Sequence, residues 1–352
     1  MNQSLNSEID FDLDKSNMKE AISSFPFQIE EAIRNYKKIK FNNQYDAISN
    51  VLVLGMGGSA IGADLTKVLV QNSCIVPIVV NRSYTIPNWV GPNTLVVASS
   101  YSGNTEETLE AFSQCKKRTS KIIIISTGGE LVLQSNKKNY DKIILPKGYQ
   151  PRAALGYSFT YLIILLEKIK LIPKIILEEI NNSVRSIKNL GLDLSKAPSS
   201  IINIVQKIHS TCPIIYGSEE LTSVVALRFK GQLAENGKIL SFNSNFPEHN
   251  HNEIEGWTLN KSIIKKFSLI WIKDIEEDIR IKNRMHISSN IIKRLPKYEL
   301  TIQKSGATIV ERLLKLIHFV DWISYYVALY NKIDPTPVKR IEKLKIQIKE
   351  MI

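Results

Sequence analysis

Short, strongly apolar runs alternate with segments of helical period along most of this chain, and that alternation is the strongest limit on its fold. Strands are expected at Asn50–Leu54, Ile75–Val80, Thr94–Ser99, Lys121–Ser126 and Lys142–Leu145, with helices at Ala60–Val70 and about Thr105–Lys116 between them. Runs apolar on both faces, separated by helices, belong to a parallel sheet covered on each side. After the Ser- and Pro-containing stretch Asp193–Ser200 the pattern resumes. Strands are expected at Cys212–Tyr216, Phe267–Ile272 and Glu299–Ile302, with helices near Glu219–Leu233, Asp278–Lys293 and Thr308–Tyr330. A chain of 352 residues exceeds what one core usually covers. The expected organisation is therefore an arm and helix over 1–45, an α/β domain over 46–192 and a second over 200–352 that ends in a helix from Thr336 to Ile348. Each domain is expected to be a mostly parallel sheet flanked by helices, an αβα sandwich.

Composition removes several function classes. The longest purely apolar or aromatic stretch, near Tyr161–Leu166, is far below the roughly 20 residues of a membrane helix, so no membrane association is expected. The amino terminus carries Glu8, Asp10, Asp12 and Asp14, a charge pattern foreign to secretory signals, and a cytoplasmic location is expected. Net charge is +12, but Lys and Arg are scattered and nowhere form a basic block interleaved with aromatics. No nucleic-acid partner is expected; a diffuse positive field suits a small anionic substrate. Cys74, Cys115 and Cys212 lie far apart without a CxxC pair and read as small core residues.

Two strand-to-helix turns carry anion chemistry. In Gly55-Met56-Gly57-Gly58-Ser59-Ala60-Ile61-Gly62 the glycines allow a tight turn and close backbone approach, and the following helix presents unpaired N–H groups. A dinucleotide site would need an acid at the end of the second strand, which instead ends at Asn81-Arg82. No cofactor is expected, and a tight turn without ligand stays open. In Ser99-Ser100-Tyr101-Ser102-Gly103-Asn104-Thr105-Glu106-Glu107-Thr108, the hydroxyls of Ser100, Ser102 and Thr105 beside a helix start form a donor cup suited to a phosphate monoester. Simple helix capping explains the same residues.

Further along, Glu235 is followed sixteen residues later by His251, within His249-Asn250-His251-Asn252-Glu253. Moving a proton between adjacent sugar carbons needs one base, and opening the ring needs a second acid/base, tasks that fit a carboxylate and an imidazole. A helix end and a polar loop are the alternatives. The HxH spacing sits in an Asn-rich loop with no HExxH and no nearby Cys, so no metal is expected. Arg152 follows Pro151 and precedes an apolar helix, where a guanidinium needs an anion, either a substrate or a surface carboxylate. Near the end, Val338, Ile341 and Lys345 fall at i, i+3 and i+7, which puts Lys345 on the expected buried face and Lys343 off it; a lysine that snorkels to water is the alternative.

With these segments in hand, Gly57-Gly58-Ser59, the Ser100–Thr108 segment and Pro151-Arg152-Ala153-Ala154-Leu155-Gly156 resemble the sugar isomerase (SIS) domains of the archaeal-type bifunctional phosphoglucose/phosphomannose isomerases. The likeness runs from about Val51 to Lys345. It implies two SIS domains in a homodimer that interconverts glucose 6-phosphate and mannose 6-phosphate with fructose 6-phosphate through a cis-enediol. It further implies phosphate held by Ser59, Ser100 and Thr105 beside Gly57, Gly58 and Ser102, and Glu235 as the proton-shuttling base. Arg152 would steady the enediolate, and His251, donated from the partner subunit, would open the ring with a C-terminal lysine, Lys345 or Lys343. Thr336 matches a position where a small side chain leaves room for either C2 epimer. His249 lies outside the motif and is assigned to the loop. A non-catalytic sugar-phosphate sensor and an aminosugar phosphate isomerase are the rival readings. Two features depart from it: the segment Asn243–Phe246 is unusually polar, and the amino-terminal arm carries no motif of the family.

Overall fold

A computed structural model describes residues 9–118 and 121–351; residues 1–8 of the expected arm lie outside the described part, as do 119, 120 and 352. The chain divides into two compact units. An N-terminal unit comprises Ser23–Leu190 and Lys304–Lys315, and a C-terminal unit comprises Met1–Ile22, Gly191–Gln303 and Leu316–Ile352. The expected arm over 1–45 is thus split at Ile22, and a short piece of the second expected domain joins the first unit. The reason lies in the helix Phe25–Arg34, which buries Phe25, Gln28, Ile29 and Ala32 on one face. A Cβ on Gly156 would meet Gln28 Cβ at 2.7 Å and the Phe25 carbonyl at 2.8 Å, so this helix lies directly on the apolar helix Leu155–Lys168.

The N-terminal unit holds a five-stranded, wholly parallel sheet of β1 (Asn50–Leu54), β2 (Ile78–Asn81), β3 (Thr94–Ser99), β4 (Lys121–Ser126) and β5 (Asp141–Ile144) in the order β2-β1-β3-β4-β5. Burial on both faces matches the apolar runs: every residue of β3 is buried, and Leu52, Leu54, Val96, Ala98 and Ile124 meet Phe112 and Leu131 of the covering helices. The second strand begins later than its β-branched run. Pro77 has no N–H for a ladder and contributes only its carbonyl, which accepts from Val51 N at 2.9 Å.

The C-terminal unit holds β6 (Cys212–Ser218), β7 (Phe242–Phe246), β8 (Phe267–Ile272) and β9 (Tyr298–Ile302), again wholly parallel, in the order β7-β6-β8-β9. β7 is the strand the sequence conceals. Phe-Asn-Ser-Asn-Phe sits at an edge with most side chains half-exposed, so ladder hydrogen bonds rather than apolar burial place it. The expected final helix also moves: it spans Lys339–Met351, with Pro337 ahead of it and the Val338 carbonyl accepting from Ile341 and Glu342.

Candidate active site

In both sheets the strand order reverses beside the first strand of the unit, and open α/β sheets bind ligands at such a switch point, off the carboxyl ends of the strands. In the N-terminal unit that point lies between β1 and β3. A Cβ on Gly55 would lie 2.9 Å from the Ser99 carbonyl and 3.3 Å from Ser59 Cβ, so only glycine lets the two turns meet. Helices start immediately after both turns, at Gly57 and at Glu106.

Neither start is capped by its own side chain. Thr105 occupies the N-cap position, but its Oγ1 makes no cap hydrogen bond and instead pairs with Ser100 Oγ at 2.8 Å. Met56, at the other N-cap, cannot cap. The capping-box reading of the Ser100–Thr108 segment therefore fails, and the first amides of both helices remain directed at the switch point. Ser59 and Ser100 are buried, Thr105 is half-buried, and Ser102 is exposed, where its Oγ accepts from Asn104 N at 3.2 Å. The loop is held rigidly. Gly103 N donates to Ser100 O at 3.1 Å, Thr127 Oγ1 donates to Tyr101 O at 2.8 Å, and Asn104 Oδ1 accepts from Glu130 N at 2.8 Å.

Arg152 reaches the same turn through a backbone contact. A Cβ on Gly58 would stand 2.6 Å from the Pro151 carbonyl oxygen and 3.3 Å from Arg152 Cα. Arg152 lies in the short 3-10 turn Pro151–Ala153 and is only 3% exposed, so it is not a surface arginine. The other side of that turn is held by Gln28, whose Nε2 donates to the Ala153 carbonyl at 2.7 Å. Sequence reasoning left Gln28 out; its signal was an amide set among the apolar positions of the arm helix.

The remaining residues belong to the C-terminal unit. Glu235 is half-buried at the last position of the helix Ser223–Glu235. Lys238 Nζ donates to the Glu235 carbonyl and, at 3.1 Å, to the Pro335 carbonyl, which ties Glu235 to the turn bearing Thr336. Thr336 is buried, with its N–H donating to Asp334 Oδ1 at 2.9 Å. Lys238 is the second residue the sequence did not mark.

His251 is exposed at the end of the turn Glu248–His251 and lines a cavity of about 320 Å³ with Ser218, Phe246, Arg280 and Arg284. His249, two residues earlier, is fully buried, stacked on Phe246 and set against Tyr216 at 4.6 Å each; burial pushes its pKa down, so the ring is neutral packing. Lys345 does not lie on a buried face. Every described side chain from Ile341 to Gln347 is exposed, Lys343 and Lys345 alike. Helical phase therefore does not separate the two lysines. Among the described residues no group of three or more His, Cys, Asp or Glu is placed to hold a metal ion.

Two parallel αβα units of the same winding, the first with uncapped helix starts at its switch point, are the architecture of the SIS-type proteins. The C-terminal domain of glucosamine-fructose-6-phosphate aminotransferase from Francisella tularensis shares the fold at a TM-score of 0.71 and 17% identity, covering 93% of this chain and 99% of that one. A family model described as the bacterial phospho-glucose isomerase C-terminal SIS domain matches residues 199–348. Within that class the chain belongs to the bifunctional phosphoglucose/phosphomannose isomerases. It is 39% identical to the member from Caldicellulosiruptor bescii over 95% of this chain and 99% of that one, and 33% identical to that from Aquifex aeolicus over 85% and 90%.

Proposed function

We propose that this protein is an aldose–ketose isomerase that interconverts glucose 6-phosphate and mannose 6-phosphate with fructose 6-phosphate. The observation that carries the reading is the hydroxyl cup of Ser59, Ser100 and Thr105 at two uncapped helix starts, in a chain whose relatives carry that activity in their names. Phosphate binds there, with Gly57, Gly58 and Ser102 leaving room and donors around it. Glu235 removes the proton from C2 of the open-chain aldose and returns it to C1, through a cis-enediol. Arg152, buried beside the glycine turn, offsets negative charge on the enediolate. His251 and Lys345, or Lys343 in its place, open the ring by protonating the ring oxygen and accepting the O1 proton. Thr336 is small enough to admit either C2 epimer.

Exposure of His251 and of both lysines fits a homodimer in which His251 serves the partner's substrate. No metal or cofactor takes part in this scheme. Coupled assays of both interconversions in the presence of EDTA test the activity, and Glu235→Gln tests the base. The variant should lose about 10²–10⁴-fold in kcat while keeping substrate affinity. Near-normal turnover would remove Glu235 from the mechanism. A protein inert on both substrates that still binds them would be a sensor, and glutamine use or ammonia release would mark an aminosugar enzyme.

A further inference from the structure

His251 stands exposed between two anchored segments of its turn. Upstream, the His249 ring lies stacked on Phe246 at an interplanar angle of 22° and against Tyr216. Asn250 Nδ2 donates to Ser288 Oγ at 2.7 Å, from the helix Ile279–Ile292, and Arg284 of that helix donates to Asn250 Oδ1 at 3.4 Å. Downstream, the Tyr216 hydroxyl donates to Glu253 Oε1 at 2.5 Å and accepts from Trp257 Nε1 at 3.1 Å. The turn closes on itself where Asn252 Nδ2 donates to Glu248 Oε1 at 2.8 Å. Tyr216 is fully buried on β6 with its ring on Trp271, so one end of this chain of bonds is fixed in the core.

Packing alone would keep the loop folded but would leave its rotation loosely defined. A phenol–carboxylate bond is short and directional, and it sets the angle at which the turn leaves the core. We propose that Tyr216 and Glu253 are positioning residues that aim the His251 imidazole. The inference rests on the ring-opening role of His251 given above and adds residues no part of that role requires. An imidazole already ordered in its working direction does not lose that freedom during the reaction, whereas one misplaced by about 1 Å can cost about 10²-fold in rate.

The test uses the full-length enzyme and the variants Tyr216→Phe, Glu253→Ala, Glu253→Gln and His251→Ala. Readouts are kcat and KM for fructose 6-phosphate, inhibition by an acyclic five-carbon aldonate 5-phosphate that mimics the open-chain intermediate, and the thermal midpoint. Tyr216→Phe and Glu253→Ala should each lower kcat about ten- to a hundredfold, with KM and inhibitor affinity unchanged. Glu253→Gln, whose amide oxygen still accepts from Tyr216, should stay within about threefold of the parent enzyme. In a His251→Ala background Glu253→Ala should add no further loss. An unchanged kcat accompanied only by a lower thermal midpoint, or additive losses in the His251→Ala background, would overturn the proposal. If His251→Ala itself keeps full turnover, the role of His251 fails first and the positioning proposal with it. Should Tyr216→Phe not fold, the Glu253 pair decides alone.

Discussion

Gly58→Ala isolates the contact that carries Arg152 to the glycine turn. The added Cβ would stand 2.6 Å from the Pro151 carbonyl oxygen and 3.1 Å from its carbon, both backbone atoms that cannot rotate away. An ordinary carbon–oxygen contact lies near 3.3 Å, so the Pro151–Ala153 turn must retreat by roughly 0.7 Å or the helix start must tilt. Overpacking of this kind costs about 1–3 kcal/mol, offset by up to about 1 kcal/mol from replacing a helical glycine with alanine. Net destabilisation of about 0–3 kcal/mol leaves the protein folded. Catalysis should suffer more, because the retreat moves Arg152 by most of an ångström: kcat should fall about ten- to a hundredfold, with the Ser100–Thr105 pair undisturbed. Steady-state kinetics in both directions, with denaturant unfolding on the same preparation, measure the two effects separately. A folded Gly58→Ala enzyme with parental kcat would refute the argument that this backbone contact positions Arg152.

Three further outcomes follow from the C-terminal unit. His318 is fully buried and burial pushes its pKa down from 6.5 to about 3, so the folded state resists protonation and stability is lost as pH falls below 6.5. At about 1.4 kcal/mol per pH unit, the histidine should cost about 2 kcal/mol at pH 5, and His318→Gln should flatten that slope in urea titrations at pH 7 and 5. Arg228 grips both oxygens of Asp321 at 2.9 and 2.8 Å in the core; Asp321→Ala should cost about 3–5 kcal/mol in equilibrium unfolding, and Arg228→Met with Asp321→Leu should recover most of it. Gly231 lies inside the helix that ends at Glu235 with nothing within 4 Å of an added Cβ, so Gly231→Ala should stabilise by about 0.5–1 kcal/mol without changing kcat.

How far the sequence reaches depends on which force places each element. Strands buried on both faces, such as β3, declare themselves because each side chain must be apolar. β7 does not, since an edge strand held by ladder bonds accepts Asn and Ser. That Ser59, Ser100 and Thr105 sit at strand-to-helix turns was legible because turn geometry is local. Gln28 and Lys238 were not, as each acts on backbone carbonyls distant in sequence, at Ala153 and Pro335. The helix Lys339–Met351 misled for a further reason: apolar spacing reports a face that wants cover, and Ile341 and Leu344 are exposed in the single chain.

Duplicate winding has not duplicated the chemistry. The turns after β1 and β3 carry Gly, Ser and Thr up to their helix starts, with Glu106 and Glu107 only inside the second helix, whereas the turns after β6 and β8 themselves carry Glu219, Glu220, Asp274, Glu276, Glu277 and Asp278 beside Thr222 and Lys273. A phosphate at the second switch point would meet those carboxylates, and Arg280 there is already engaged by both oxygens of Asp278, at 2.9 and 2.7 Å. Glu277 shows how unfavourable further negative charge would be. Burial pushes its carboxyl up to about 7, and Ser218, the strand-end hydroxyl that might otherwise serve a ligand, donates to it. Of the two switch points, the N-terminal one, where hydroxyls and uncapped helix starts precede Glu106 and Glu107, therefore suits the proposed phosphate site better than the C-terminal one.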